Sequence, residues 1–142
     1  MDFDIDNLNA ADEGQMTVSV NGQLTDWVWR FTGPAHEKTI AQNARVQREQ
    51  LQKRRLQEQA QVNGKKWKAP EETPDEILKN NVDFVVERLL GWNTVTMGGQ
   101  PYEFSEENAR KLLMDRKKGA LLQQAIEFIL DDNSFTQRSD KS

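Results

Sequence analysis

Not one cysteine occurs in the 142 residues. Disulfides and thiolate metal sites are thereby excluded, and a cytoplasmic setting is the expected one. No apolar run approaches the roughly 20 residues that a membrane-spanning helix needs, so no membrane partner is expected. The chain opens Met1-Asp2-Phe3-Asp4, without the basic start and apolar stretch of a signal peptide. His36 is the single histidine, and no serine or cysteine elbow accompanies it, so an acyl-transfer triad lacks its parts. Glycine is sparse, and the pair Gly98-Gly99 lacks the Lys and Ser/Thr of a phosphate-binding loop. The adjacent carboxylates Glu106 and Glu107 are explained by helix capping. No enzyme, metal centre or cofactor is expected.

What remains is charge and helix. Hydrophobic residues make up 36% and charged residues 30%, enough apolar surface for one small domain (1–142) with part of the chain outside its core. The net charge of −4 hides an asymmetry. Residues 1–15 carry Asp2, Asp4, Asp6, Asp12 and Glu13 with no basic residue, and read as an acidic arm. Arg45, Arg48, Lys53, Arg54, Arg55, Lys65, Lys66 and Lys68 follow, against only Glu49 and Glu58 in the same stretch. Either the acidic start and the basic middle attract each other, within or between chains, or both are solvated surfaces. Asp2, Asp4, Asp6 and Glu13 also share the spacing of a calcium-binding loop. Asn7 stands where that loop turns on glycine, Ala10 stands where a polar ligand belongs, and no helix precedes; calcium is not expected.

The fold expected is α+β, predominantly helical, with an N-terminal hairpin, a long polar and basic helix, and a C-terminal helical core. Met16-Thr17-Val18-Ser19-Val20 alternates, meets Asn21-Gly22, and returns from Leu24 to Phe31. Asn-Gly between alternating runs marks a tight turn, giving a β-hairpin over 16–31. Phe3 and Ile5 suggest a further short strand. Pro34 is expected at the first position of a long helix over 34–62. A linker over 63–73 leads to Thr73-Pro74-Asp75-Glu76, a capping box that opens a core helix. Gly91 is read as its left-handed stop, with Trp92 folding back on the last turn. Val95 to Phe104, folded at Gly98-Gly99, forms a second short hairpin. Ser105 caps the next helix, a last helix begins near Ala120, and the helical core occupies 74–135. The tail over 136–142 is expected to be disordered.

Two surfaces are candidates for partner binding. The long helix shows a thin apolar stripe of Ile40, Ala44 and Leu51, flanked by Arg48 and Arg55, with Leu56 and Val62 off the line. Such a helix projects into solvent or waits for a partner. Trp27, Trp29 and Phe31 share one strand face, which is either buried in the core or part of a docking surface. A rival use of the basic stretch 45–68, with Trp67 to stack on bases, is nucleic-acid binding. The interspersed glutamates and the net negative charge weigh against it.

Two stretches resemble the tail assembly chaperones of long-tailed phages. Phe3-Asp4-Ile5-Asp6-Asn7-Leu8, followed by a β segment, Gly22-Gln23-Leu24 and an aromatic strand, is similar to that family's opening. So is Gly91-Trp92, a strand, Gly99-Gln100-Pro101, then Phe104-Ser105-Glu106-Glu107-Asn108-Ala109-Arg110-Lys111-Leu112-Leu113, closing on Phe128-Ile129 and Asn133-Ser134-Phe135. The long basic helix is the part that matches least. The resemblance implies a non-enzymatic protein of the host cytoplasm, absent from the finished virion. Its implied partners are the tape-measure protein, which it solubilises, and the tail-tube protein, which it recruits; self-association is a further expectation.

Overall fold

The computed structural model describes residues 4–66 and 71–136. The expected fold class is the observed one. Strands β1 (Glu13–Val20) and β2 (Gln23–Thr32) form an antiparallel hairpin. Asn21 and Gly22 turn it with φ of 52° and 79°, the left-handed pair that a two-residue turn of this kind demands. The hairpin is longer than 16–31, and residues 13–15 of the expected acidic arm are strand. Gly14 makes that extension possible. A Cβ there would lie 2.7 Å from both the Ser134 carbonyl oxygen and the Phe135 ring, so only glycine lets the C-terminal turn Asp132–Phe135 lie against β1. The Ala11 N–H donates to the Phe135 carbonyl at 2.7 Å, and Ala10 bridges Thr136. Ile5 is not in a strand: Ile5–Leu8 is a 3-10 turn whose cap, Asp4, accepts from the Asp6 N–H. Phe3 and the tail 137–142 lie outside the described residues, as do 67–70 of the linker.

Helix α1 (Glu37–Val62) begins later than residue 34. Gly33-Pro34-Ala35 forms the approach, and His36 is the cap, its Nδ1 accepting from the Lys38 N–H at 3.1 Å. Helix α2 (Pro74–Arg88) starts as expected, with Thr73 Oγ1 accepting from the Glu76 N–H at 3.2 Å. It stops before Gly91, however. Leu89–Trp92 is β3, the third strand of a sheet ordered β1-β2-β3. Gly91 is absent from the positive-φ glycines, so it is no helix stop. It sits across from Arg30, where a Cβ would come within 3.2 Å of Arg30 Nη2 and 3.7 Å of the Phe104 ring. Trp92 pairs across the sheet with Trp29 instead of folding onto α2.

Strands β4 (Val95–Met97) and β5 (Gln100–Tyr102) make the second hairpin. Helices α3 (Glu106–Met114) and α4 (Gly119–Leu130) complete the chain, α3 capped by Ser105 accepting from Asn108 N–H at 3.0 Å. One core joins these pieces, with Trp29, Phe31, Val82, Val85 and Leu113 sealed at its centre. Aromatic rings run through it in contact: Trp29 with Trp92 at 5.0 Å, Trp92 with Phe104 at 5.0 Å, and Phe31 with Phe128 at 5.5 Å.

Candidate partner-binding surfaces

Helix α1 docks through polar groups, which is why no apolar face announced the docking. Thr39, Gln42 and Arg45 recur every three residues on one side. The Thr39 hydroxyl shares a 2.7 Å hydrogen bond with that of Thr32. Gln42 Nε2 donates to the Phe84 carbonyl at 3.1 Å. Arg45 grips Glu87 with both guanidinium nitrogens, at 2.6 and 2.8 Å, and this bond raises its guanidinium above the ordinary value. Below them Arg88, 6% exposed, donates to Thr32 Oγ1 at 2.9 Å and to the Thr32 carbonyl at 2.8 Å. Burial pushes the Arg88 guanidinium down. Thr32, accepting from Arg88 and sharing a hydroxyl bond with Thr39, therefore ties α1, α2 and the end of β2 together.

Past Val46 the docking ends. Every residue from 47 to 62 is exposed except the half-buried Gln57 and Ala60, so this part of α1 is an arm. Ile40, Leu51 and Val62 are 57%, 44% and 86% exposed. They recur at intervals of 11 residues, close to three helical turns. Val62 therefore belongs to the stripe, contrary to the sequence reading. Ala44, Arg48 and Arg55 are exposed with it. Arg48, Arg54 and Arg55 stand three before, three after and four after Leu51, the positions that surround a residue on a helix surface. None of these arginines makes an ion pair among the described residues.

The aromatic strand divides. Trp29 and Phe31 have no exposed surface, so both leave the partner-binding set and belong to the core. Trp27 is half-buried, edge-on to Trp29 at 5.2 Å and to Trp92 at 5.4 Å. It lines a groove of about 760 Å³, walled by Val18, Val20, Met97, Tyr102 and Leu121. Val20 and Met97 are 55% and 48% exposed. Gln124 closes the open edge of β1 beside it, accepting from Ser19 N–H at 2.9 Å and donating to the Ser19 carbonyl at 2.7 Å. Sequence reasoning missed this groove. Its one signal was apolar residues, Val20 and Met97, flanking tight turns where polar ones are usual.

The remaining sequence candidates find less support. Among the described residues, no group of three or more His, Asp or Glu side chains could hold a metal ion; Asp2 of the calcium-like pattern lies outside them. Among the same residues, no helix is long and apolar enough to cross a membrane. Arg45 is committed to Glu87, and at about 100° per residue Lys53 falls on the opposite side of α1 from Arg48, Arg54 and Arg55, so the basic stretch is divided between two sides of the helix. Trp67 and Lys68 lie outside the described residues. Comparison with protein-family models, curated proteins and solved structures finds no match to this chain.

Proposed function

We propose that this chain is a tail assembly chaperone, a non-enzymatic protein that binds and solubilises a tape-measure protein and recruits tail-tube subunits. On this reading it works in the host cytoplasm and is left out of the finished virion. The reading rests on the sequence resemblance, and one observation carries it further: the groove beside Trp27 is mostly apolar and has no occupant among the described residues. A tape-measure protein is long, helical and aggregation-prone. The apolar face of a helix laid in a groove is a recurring recognition mode. The arm stripe of Ile40, Ala44 and Leu51 offers a second contact along the same client.

The test is co-expression with the candidate tape-measure protein, scored by its soluble fraction. Wild type should raise that fraction. Val20→Glu with Met97→Glu, both exposed and outside the core, should abolish the gain while the melting temperature stays unchanged. A tape-measure protein that stays insoluble beside the wild-type chain sinks the reading. Nucleic-acid binding through 45–68 remains the rival, and no observation favours it over the chaperone.

A further inference from the structure

The arm and the N-terminal turn carry opposite charge and matching apolar side chains. In a 3-10 turn residues i and i+3 eclipse, so Ile5 and Leu8 project on one side; they are 73% and 71% exposed. Asp4 and Asp6 are exposed beside them. The turn is thus a small apolar knob edged with carboxylates. On α1, Leu51 is an exposed apolar side chain ringed by Arg48, Arg54 and Arg55, whose guanidiniums make no ion pair among the described residues. Each patch supplies what the other lacks.

They do not meet within one chain. Leu8 lines a cavity of about 390 Å³ together with Thr39, Asn43 and Arg88 at the base of α1. Leu51 lies eight residues beyond Asn43, about 12 Å further along the helix. We propose that two copies of this chain associate by docking the Ile5–Leu8 turn of one on the Leu51 patch of the other's arm, with Asp4 and Asp6 facing Arg48, Arg54 and Arg55. The contact rests on these two patches alone and stands apart from the chaperone reading. A pair of like patches is disfavoured, since arm on arm sets arginine against arginine and turn on turn sets aspartate against aspartate. The contact is small and exposed, so it is reversible and sensitive to salt.

Sedimentation of the full chain over a concentration series tests it. The weight-average mass should rise with concentration at about 0.05 M salt and fall back toward the monomer at about 0.5 M. Leu51→Glu should hold the protein monomeric, as should the triple change Arg48→Glu, Arg54→Glu, Arg55→Glu; the double change Asp4→Lys, Asp6→Lys should do the same. Far-UV circular dichroism checks that the arm stays helical in each. The deciding arm is the swap: mixing the arginine-reversed and aspartate-reversed proteins, or combining all five changes in one chain, restores association. A wild-type chain monomeric throughout overturns the proposal. So does association that survives the single reversals, or that the swap fails to restore.

Discussion

Burial alone would raise the Asp83 carboxyl, yet the hydrogen bond and charge of Arg110, helped by Lys79, hold it below the ordinary value of 3.8. A carboxyl depressed in the folded chain stabilises it above the unfolded value, and that stability is lost as pH falls through the folded value. The side chains of Asp83 and Arg110 are 28% and 39% exposed, so solvent screens the pair and its contribution stays under about 1 kcal/mol. Asp83→Asn should therefore lower the melting temperature slightly at neutral pH, and the gap to wild type should narrow in acid, as pH falls below the ordinary carboxylate range and the folded chain's carboxylate takes up its proton. A gap of equal size at neutral pH and in acid rules out the ion pair as its cause. Trp29 is a heavier matter. With no exposed surface, its truncation in Trp29→Ala should cost on the order of 3 kcal/mol or more in a urea melt. A loss within about 0.5 kcal/mol, the range of surface positions, would remove it from the core. That Trp29 and Phe31 share a buried face was readable from the period of two. That Trp27 stops half out was not, because one of the rings packed on it, Trp92, arrives from distant sequence.

Elements fixed by their own neighbours were readable from sequence, and elements fixed by remote contacts were not. The turn at Asn21-Gly22 and the caps at Thr73 and Ser105 are local chemistry, and each forms where the sequence puts it. β3 was hidden because Gly91 serves a close approach to Arg30 and Phe104, not a left-handed backbone. The foot of α1 was hidden because its buried residues are Thr39 and Gln42, which no apolar stripe reveals. Sequence alone would place the start of the free arm at Gln42. The hydrogen bonds of Gln42 and Arg45 place it after Val46 instead. Replacing 47–61 with a short Gly/Ser linker should leave the main melting transition within a degree or two of wild type, since unpacked helix adds little to global stability. Extending the replacement back to residue 42 should lower the transition by several degrees, because the Phe84 carbonyl and the Glu87 carboxylate lose their partners. Equal melting of the two shortened chains would show that the polar foot does not hold α1.

At the scale of the whole molecule, the sheet is closed by the far end of the chain. The core runs from Met16 to Phe135, and Phe135, 4% exposed, covers Gly14 and meets Phe128 at 5.5 Å. Its carbonyl accepts from Ala11 N–H, so the segment leading into β1 and the C-terminal turn are sewn to each other. This placement is also what frees the Ile5–Leu8 turn to stand on the surface, because Ala10 and Ala11 anchor the segment behind it. The body should thus unfold as one unit, with tryptophan fluorescence reporting a single transition while far-UV ellipticity loses some arm helix earlier. Phe135→Ala removes a buried ring from the seam between β1 and α4. It should cost about 3 kcal/mol, which at this chain length lowers the melting temperature by roughly 10 °C, and the fluorescence transition should move as a whole. A transition that splits in two, or one left where it was, would mean that the C-terminal turn rests on the sheet without holding it.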